Sequence, residues 1–292
     1  MEAIQARLNL GLSVILITKN EERHLQACLE SVRFADEIIV VDSGSTDRTV
    51  EIAQGFGAKV SQTSDWPGFG PQKNRALALA TQPWVLSIDA DERVTPELQA
   101  EIVQVIGAGQ YQAFDIPRLS SFCGKPIRHS GWWPDYVLRL FKREAGRFTD
   151  VAVHERVETL APVAKLKFWL LHDPYENLDA LITKINRYSG EAAAAMAARG
   201  KRVGIPGLLG HSIWTFIRIY LLRRGFLDGR HGFVLAVAAA LQQHQVVVPI
   251  YEGQQGHPVG FSSSCREALL KLTGDQGARA VVAQHEVGRV GV

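Results

Sequence analysis

The densest chemistry in the chain lies in Ser87-Ile88-Asp89-Ala90-Asp91-Glu92. Two carboxylates one residue apart, directly after an apolar run, can reach one cation together. A hard divalent ion, Mg²⁺ or Mn²⁺, takes oxygen ligands and completes its shell with phosphate oxygens. Asp89 and Asp91 therefore suit a metal that neutralises a diphosphate leaving group. The bland alternative is a solvated turn leading into the next helix. A second acidic signal is Val41-Asp42-Ser43-Gly44-Ser45-Thr46-Asp47, again after an apolar run. Asp42 is placed to accept hydrogen bonds from a nucleobase or ribose, and Gly44 permits a tight turn. Ser45, Thr46 and Asp47 read chiefly as helix-capping residues. In Thr18-Lys19-Asn20-Glu21-Glu22, Thr18, Asn20 and Glu21 are candidates to hold the nucleotide, or equally to start a helix. Lys73 and Arg75, in Pro71-Gln72-Lys73-Asn74-Arg75, either approach the diphosphate or are simply solvated.

The elements that carry these residues follow from hydrophobic periodicity. LSVILIT at 12–18 and EIIVVD at 37–42 are unbroken apolar runs, as expected of strands buried on both faces. Residues 58–61 and 84–89 read as a third and a fourth strand. Residues 20–32, 45–55, 71–80 and 96–106 have helical spacing. Strand–helix alternation predicts an α/β fold with a mostly parallel central sheet flanked by helices. Ligands of such sheets bind beyond the carboxyl ends of the strands. Thr18, Asp42 and Asp89 all fall there. From 111 to 171 the chain, rich in Trp, Arg, His and Gly, reads as shorter strands and loops covering a pocket. A helix is expected over 179–199, and an apolar stretch with basic residues over 205–241.

With 292 residues there is room for one large domain or two modest ones. A net charge of +2 is too mild to indicate nucleic acid. Cys28, Cys123 and Cys265 are odd in number and lack CxxC spacing, which fits a reducing compartment and no disulfide framework. The first residues lack the basic start and cleavage site of a signal peptide, and no apolar run reaches the length of a membrane span. The expectation is a cytoplasmic protein, with peripheral contact to the inner membrane left open. Arg218, Arg223 and Arg224 beside Trp214, Phe216, Ile217 and Tyr220 suit either a surface resting on anionic lipid or a helix packed on the core.

The stretches LSVILITKNEERHLQACLESV, IIVVDSGSTDRTVEIA, GFGPQKNRAL and WVLSIDADERVTPEL resemble family-two glycosyltransferases of the GT-A fold. SSFCGKPIRHSGWWPDYVLRLFKR, VAVHERV, LLHDPYENLDALITKINRYS and RRGFLDGRHGFVLA resemble the WaaE-like, lipopolysaccharide-core branch. The likeness runs unbroken over about 10–241. It implies a GT-A nucleotide-diphospho-sugar transferase domain over 1–175 and a helical extension over 176–241, free to rest on a membrane surface or pack on the core. It also implies a divalent metal and transfer of glucose, or a related sugar, from a donor such as UDP-glucose. The acceptor it implies is lipid-linked inner-core oligosaccharide, with inversion at the sugar. Inversion needs a base for the acceptor hydroxyl, and the resemblance points to a carboxylate after the metal motif. Glu155 in Val153-His154-Glu155 is favoured, then Asp135 in Trp133-Pro134-Asp135. His154 is then a third metal ligand or orients the pyrophosphate. Trp132 and Trp133 stack on sugar faces or belong to the core. Arg139, Lys142 and Arg143 meet acceptor phosphates or form a solvated edge. The QxxRW element of processive members is missing, which argues against a polymer synthase.

Beyond about Leu241 the character changes. VVVPIYEGQQGHPVGFSSSCREALLKLTGDQGARAVVAQH, over about 242–292, resembles the end of a molybdenum-cofactor nucleotidyltransferase-like protein. The residues that carry this are Gly256-His257-Pro258-Val259 and Thr273-Gly274-Asp275-Gln276-Gly277-Ala278-Arg279. That family's Gly-rich nucleotide loop is missing, so the tail is not expected to transfer nucleotides alone. A poorly packed or loosely docked tail is expected, whether it is a fusion, a deletion product or a reading-frame scar. The alternative function it raises is nucleotidyl transfer to a pterin cofactor.

Overall fold

The computed structural model describes residues 9–150, 155–175, 177–178, 181, 205–241, 246–251, 254–255, 260–261 and 288–291. The expected helix over 179–199, His154, and the His257 and Asp275 motifs lie outside them. The chain divides into two units. One comprises Met1–Ser121 with Trp133–Pro174, the other Phe122–Trp132 with Tyr175–Val292.

The first unit is built on a sheet whose strands are β1 (Leu12–Thr18), β2 (Glu37–Asp42), β3 (Lys59–Gln62), β4 (Trp84–Ser87), β5 (Glu92–Val94), β6 (Ala113–Phe122), β8 (Asp135–Lys142) and β12 (Leu170–His172). Short strands β7 (Lys125–Pro126), β9 (Arg147–Phe148), β10 (Val157–Glu158) and β11 (Val163–Lys165) complete the numbering up to that point. The strand order is β3-β2-β1-β4-β8-β6-β12-β5. β1, β2, β3 and β4 run parallel, and β8 lies antiparallel between β4 and β6. The order reverses at β1: the chain steps outward through β2 and β3, then returns to place β4 on the other side of β1. That crevice is where an open α/β sheet admits a ligand.

Both faces of this sheet are covered, which explains the unbroken apolar runs. Val14, Leu16, Val40 and Leu86 point toward α1 (Leu25–Ser31), α2 (Thr49–Gly55) and α4 (Pro96–Ala108), packing with Leu25, Leu29, Ala53, Leu98 and Ile102. Ile15, Ile39, Val41 and Val85 face the other way and pack with Ala76 and Ala80, at α3 (Phe69–Leu79) and its end, and with Phe141 and Phe148. The expectation that 111–171 would merely cover a pocket needs correction. β6, β8 and β12 from that stretch are interior strands of the sheet. Their charged residues look loop-like in sequence, but Arg118 and Arg139 are paired with carboxylates inside the fold.

In the second unit, α5 (Ile205–Ile217) continues into a π-helical turn, Arg218–Leu222, and a 3₁₀ turn, Gly225–Asp228, precedes α6 (Arg230–Leu241). Phe122, Ile127, Leu181 and Leu235 form its small core. Asp228 is buried and holds the 122–132 segment. It accepts from the backbone amides of Arg128 and His129, from His129 Nδ1 and from Ser130 Oγ. Further on lie β13 (Val246–Tyr251), β14 (Gln254–Gln255), β15 (Gly260–Phe261) and β16 (Gly288–Gly291), with β13 pairing each of the other three. No helix among the described residues is long and apolar enough to cross a membrane.

Candidate active site

The carboxyl rim of β1, β2 and β4 brings the three sequence signals together. Thr18 ends β1 and donates from Oγ1 to Asp42 Oδ2 at 3.1 Å across the parallel register. Asp42 is fully buried, and its Oδ1 takes the amides of Gly44 and Ser45 at 3.0 and 2.9 Å. Gly44 sits at φ +79°, where glycine adopts the turn without strain. Asn20 has a left-handed φ of 57° and locks the two rim loops together. Its amide donates to Ser45 Oγ and its Oδ1 accepts from Thr46 N, both at 2.8 Å. These loops delay the helices: α1 begins at Leu25 rather than 20, and α2 at Thr49 rather than 45. Ser45 and Thr46 thus serve the inter-loop network, while Asp47 accepts from Thr49 N at 3.0 Å at the start of α2.

Glu21 donates its amide to Thr49 Oγ1 at 2.7 Å. Its carboxyl is pushed up to about 7, first by burial and then by the negative charges of Asp91, Asp47 and Asp89. The rim at Thr18–Asp42 and the acidic turn are therefore electrostatic neighbours.

β4 ends at Ser87, two residues short of the expected limit, so Asp89 and Asp91 stand on a turn into β5. Asp89 N donates to Glu92 Oε2 at 2.9 Å, which shapes that turn. Lys73 Nζ, buried on α3, lies 2.9 Å from Asp89 Oδ1 and 2.8 Å from Glu155 Oε1. Arg139 on β8 donates from Nη2 to Asp89 Oδ2 and to Glu92 Oε1, the latter at 2.8 Å. Burial would raise the Asp89 carboxyl, but Arg139 and Lys73 outweigh it and hold the group well below the usual carboxylate range. Asp91 Oδ2 lies 3.5 Å from His172 Nε2, and His172 Nδ1 meets Ser120 Oγ at 2.8 Å. Asp91 and His172 also come from neighbouring chain segments in the sheet, β12 pairing with β5.

Glu92 is completely buried, and sequence reasoning gave it no role. It also takes Arg118 Nη1 at 3.3 Å, and Arg118 holds Asp135 Oδ2 through Nε at 3.0 Å and Nη2 at 2.7 Å. Asp89, Arg139, Glu92, Arg118 and Asp135 form one chain of alternating charge from the acidic turn to the start of β8. The antiparallel register of β8 against β4 sets Asp135 at the same rim. Its side chain is 40% exposed, against 16% for Glu155.

The remaining candidates fall elsewhere. Arg75 grips Asp65 through both terminal nitrogens, at 2.8 and 2.7 Å. Arg139 is buried and ion-paired, so neither the solvated edge nor the acceptor-phosphate role expected of it describes its place. Lys142 lies over the Trp84 ring, and Arg143 donates to the Ala80 carbonyl. Trp133 meets Trp169 edge to face, and Trp132 packs on Tyr175 within the second unit. Among the described residues no three His, Cys, Asp or Glu side chains are grouped to hold a metal ion.

Residues 13–168 match the family model described as "Glycosyl transferase family 2", and residues 230–290 match the "MobA-like NTP transferase domain". The chain is 32% identical over 242 residues to the uncharacterized glycosyltransferase RT0209 of Rickettsia typhi, covering 78% of this chain and 82% of the relative. It is 31% identical over 255 residues to the lipopolysaccharide core biosynthesis glycosyltransferase LpsC of Rhizobium meliloti, covering 83% and 93%. The crystal structure of S. aureus TarS 1-349 in complex with UDP-GlcNAc superposes with a TM-score of 0.44 at 15% identity, over 84% of this chain and 95% of that one. With its α/β sheet of GT-A type, and the family match spanning more than half its length, the chain belongs to glycosyl transferase family 2.

Proposed function

We propose that the protein transfers a hexose, glucose being the expected sugar, from a UDP-sugar to a lipid-linked inner-core oligosaccharide, with inversion. One observation carries this reading. The crevice at the β1/β4 switch point gathers a nucleotide-type rim (Thr18, Asn20, Asp42), an acidic turn (Asp89, Asp91) and a buried lysine (Lys73). LpsC, similar along most of both chains, supports the acceptor class by its name.

Asp42 and Thr18, buried and bonded to each other and to the Gly44–Ser45 amides, would shape the rim loop that faces base or ribose, with Glu21 beside them. A divalent ion fits the oxygen chemistry of the turn, and the ion pairs give its two carboxylates different work. Asp89 has both oxygens on cations of the chain, so it anchors the turn. Asp91, 3.5 Å from His172 Nε2, is the carboxylate that would hold Mg²⁺ or Mn²⁺, donor phosphates completing the shell. His154 remains a candidate third ligand. Bound there, the ion supplies charge neutralisation for the departing diphosphate.

The base must meet an acceptor hydroxyl. Glu155, expected first, has one oxygen paired with Lys73 at 2.8 Å, as Asp135 has one paired with Arg118, but its side chain is only 16% exposed. We assign the proton to Asp135 instead. It stands at the rim, is the more exposed of the two, and receives both Arg118 bonds on one oxygen, Oδ2. Arg118 keeps it oriented.

The test is a screen of UDP-sugars with purified inner-core acceptor, with and without EDTA. Metal-dependent transfer is expected. It should vanish in Asp91→Ala and Asp135→Asn while Glu155→Gln keeps measurable turnover. Retained transfer in Asp91→Ala would refute the metal role, and the reverse ranking of Asp135 and Glu155 would restore Glu155 as base. The MobA-like match motivates the second reading, and nucleotide transfer from CTP or GTP to molybdopterin would establish it.

A further inference from the structure

The second unit exposes an unusual corner. Between α5 and α6 the sequence Leu221-Leu222-Arg223-Arg224-Gly225-Phe226-Leu227 places four large apolar side chains outward. Leu221 is 52% exposed, Leu222 63%, Phe226 46% and Leu227 54%. A soluble surface scatters such residues singly and seldom groups them. The exposure is continuous with Phe233 through an aromatic cluster in which Tyr220 contacts Phe216, Phe226 and Phe233. Trp214 and Ile213 on α5 are also more than half exposed.

The corner is built, not frayed. Arg224 takes a left-handed φ of 54°. Gly225 behind it is buried, and a Cβ there would meet the Ile219 carbonyl at 2.8 Å and Ser130 Oγ at 2.9 Å. Gly232, on the first turn of α6, would drive a Cβ to within 1.9 Å of the Gly225 carbonyl oxygen. Asp228 fastens the base of the corner to His129 and Ser130. The apolar tips are thus held out by two close-packed glycines and a buried carboxylate.

Charge then selects the occupant. Arg218, Arg223, Arg224 and Arg230 are exposed along the same stretch, with the Arg223 guanidinium lying against Gly131. Over residues 205–241 the sole acidic residue is Asp228, which is buried. Arginines flanking apolar tips, with no exposed carboxylate between, match the interfacial region of an anionic bilayer, where the tips enter the acyl boundary and guanidinium groups meet lipid phosphates.

We propose that the Leu221–Leu227 corner is a bilayer-docking wedge that binds anionic phospholipid. The inference stands apart from the transferase reading, because binding requires neither donor nor acceptor. The experiment is co-sedimentation of the full chain with phosphatidylcholine vesicles, with and without phosphatidylglycerol, at low and high salt. Sedimentation with the anionic vesicles is expected, weakened by salt. It should fall at least about tenfold in Leu222→Asp/Leu227→Asp, and lose its preference for anionic lipid in Arg218→Glu/Arg230→Glu. Far-UV circular dichroism and melting check that the variants fold. Should a variant unfold, brominated phosphatidylglycerol serves on the intact protein: it should quench emission that disappears in Trp214→Phe. Equal pelleting with and without phosphatidylglycerol, or binding indifferent to both double variants, overturns the proposal. So does a light-scattering dimer that Leu222→Asp/Leu227→Asp splits while no vesicle binding is seen, since the occupant is then a second copy.

Discussion

At the residue scale, the main result concerns charge inside the fold. Glu92 lies under the acidic turn with no solvent exposure, tied to Arg139, Arg118 and the Asp89 amide. Removing one partner of a buried ionic group leaves the others uncompensated, at a cost of about 3–5 kcal/mol. Glu92→Gln is therefore expected to lower unfolding free energy by about that amount, read from urea titrations. Glu21 gives a pH signature. Its carboxyl, raised to about 7 by burial and by Asp91, Asp47 and Asp89, binds its proton more tightly folded than unfolded, where it titrates near 4.5. A raised acid destabilises the fold once it must ionise, so stability should fall as pH climbs from about 4.5 to about 7 and then level. Glu21→Gln should remove this slope in EDTA, with denaturant midpoints as the measure. An unchanged slope would mean that Glu21 is not the group responsible. Asp42 and Asp89 were legible in sequence because both follow apolar runs. Glu92, Arg118 and Arg139 were not, because a buried ionic residue has the same letters as a solvated one and its partners lie 26 and 47 positions away.

At the element scale, β1 and β2 appear with the bounds read from sequence, since strands covered on both faces leave unmistakable runs. The first two helices start four or five residues late because Asn20, Ser45, Thr46 and Asp47 bond across loops instead. β6 and β8 read in sequence only as shorter strands and loops, because polar residues such as Arg118 and Asp135 pair across the strands and blur the apolar alternation. α4 shows the opposite case, with local signals in full agreement. Thr95 Oγ1 accepts from Leu98 N at 3.2 Å, Pro96 opens the helix, and Gly109 closes it in the left-handed region. Thr95→Ala should cost about 1 kcal/mol, measurable as a shift in denaturant midpoint with unchanged slope.

At the scale of the whole molecule, two compact units are made from interleaved stretches of chain, the second taking Phe122–Trp132 from within the first. The family match occupies 13–168, and the relatives RT0209 and LpsC cover 78% and 83% of the chain. The MobA-like match from 230 to 290 overlaps α6 and the strands beyond it. If transfer depends on the part shared with those relatives, a protein ending at Leu241 should retain sugar transfer in the same assay. Loss of activity with intact folding would give the last fifty or so residues a part in the reaction.

The pairing of Lys73 has a thermodynamic corollary. One ammonium already answers two carboxylates, Asp89 and Glu155. An anion that claims that ammonium leaves Asp89 and Glu155 short of positive charge, which a cation held at nearby Asp91 would restore. Each ion thus prepares the place of the other, and linkage makes the preference mutual: UDP should bind more tightly with Mn²⁺ present, and Mn²⁺ by the same factor with UDP. In Lys73→Met that shared factor should shrink, for the lysine is what couples the two arrivals.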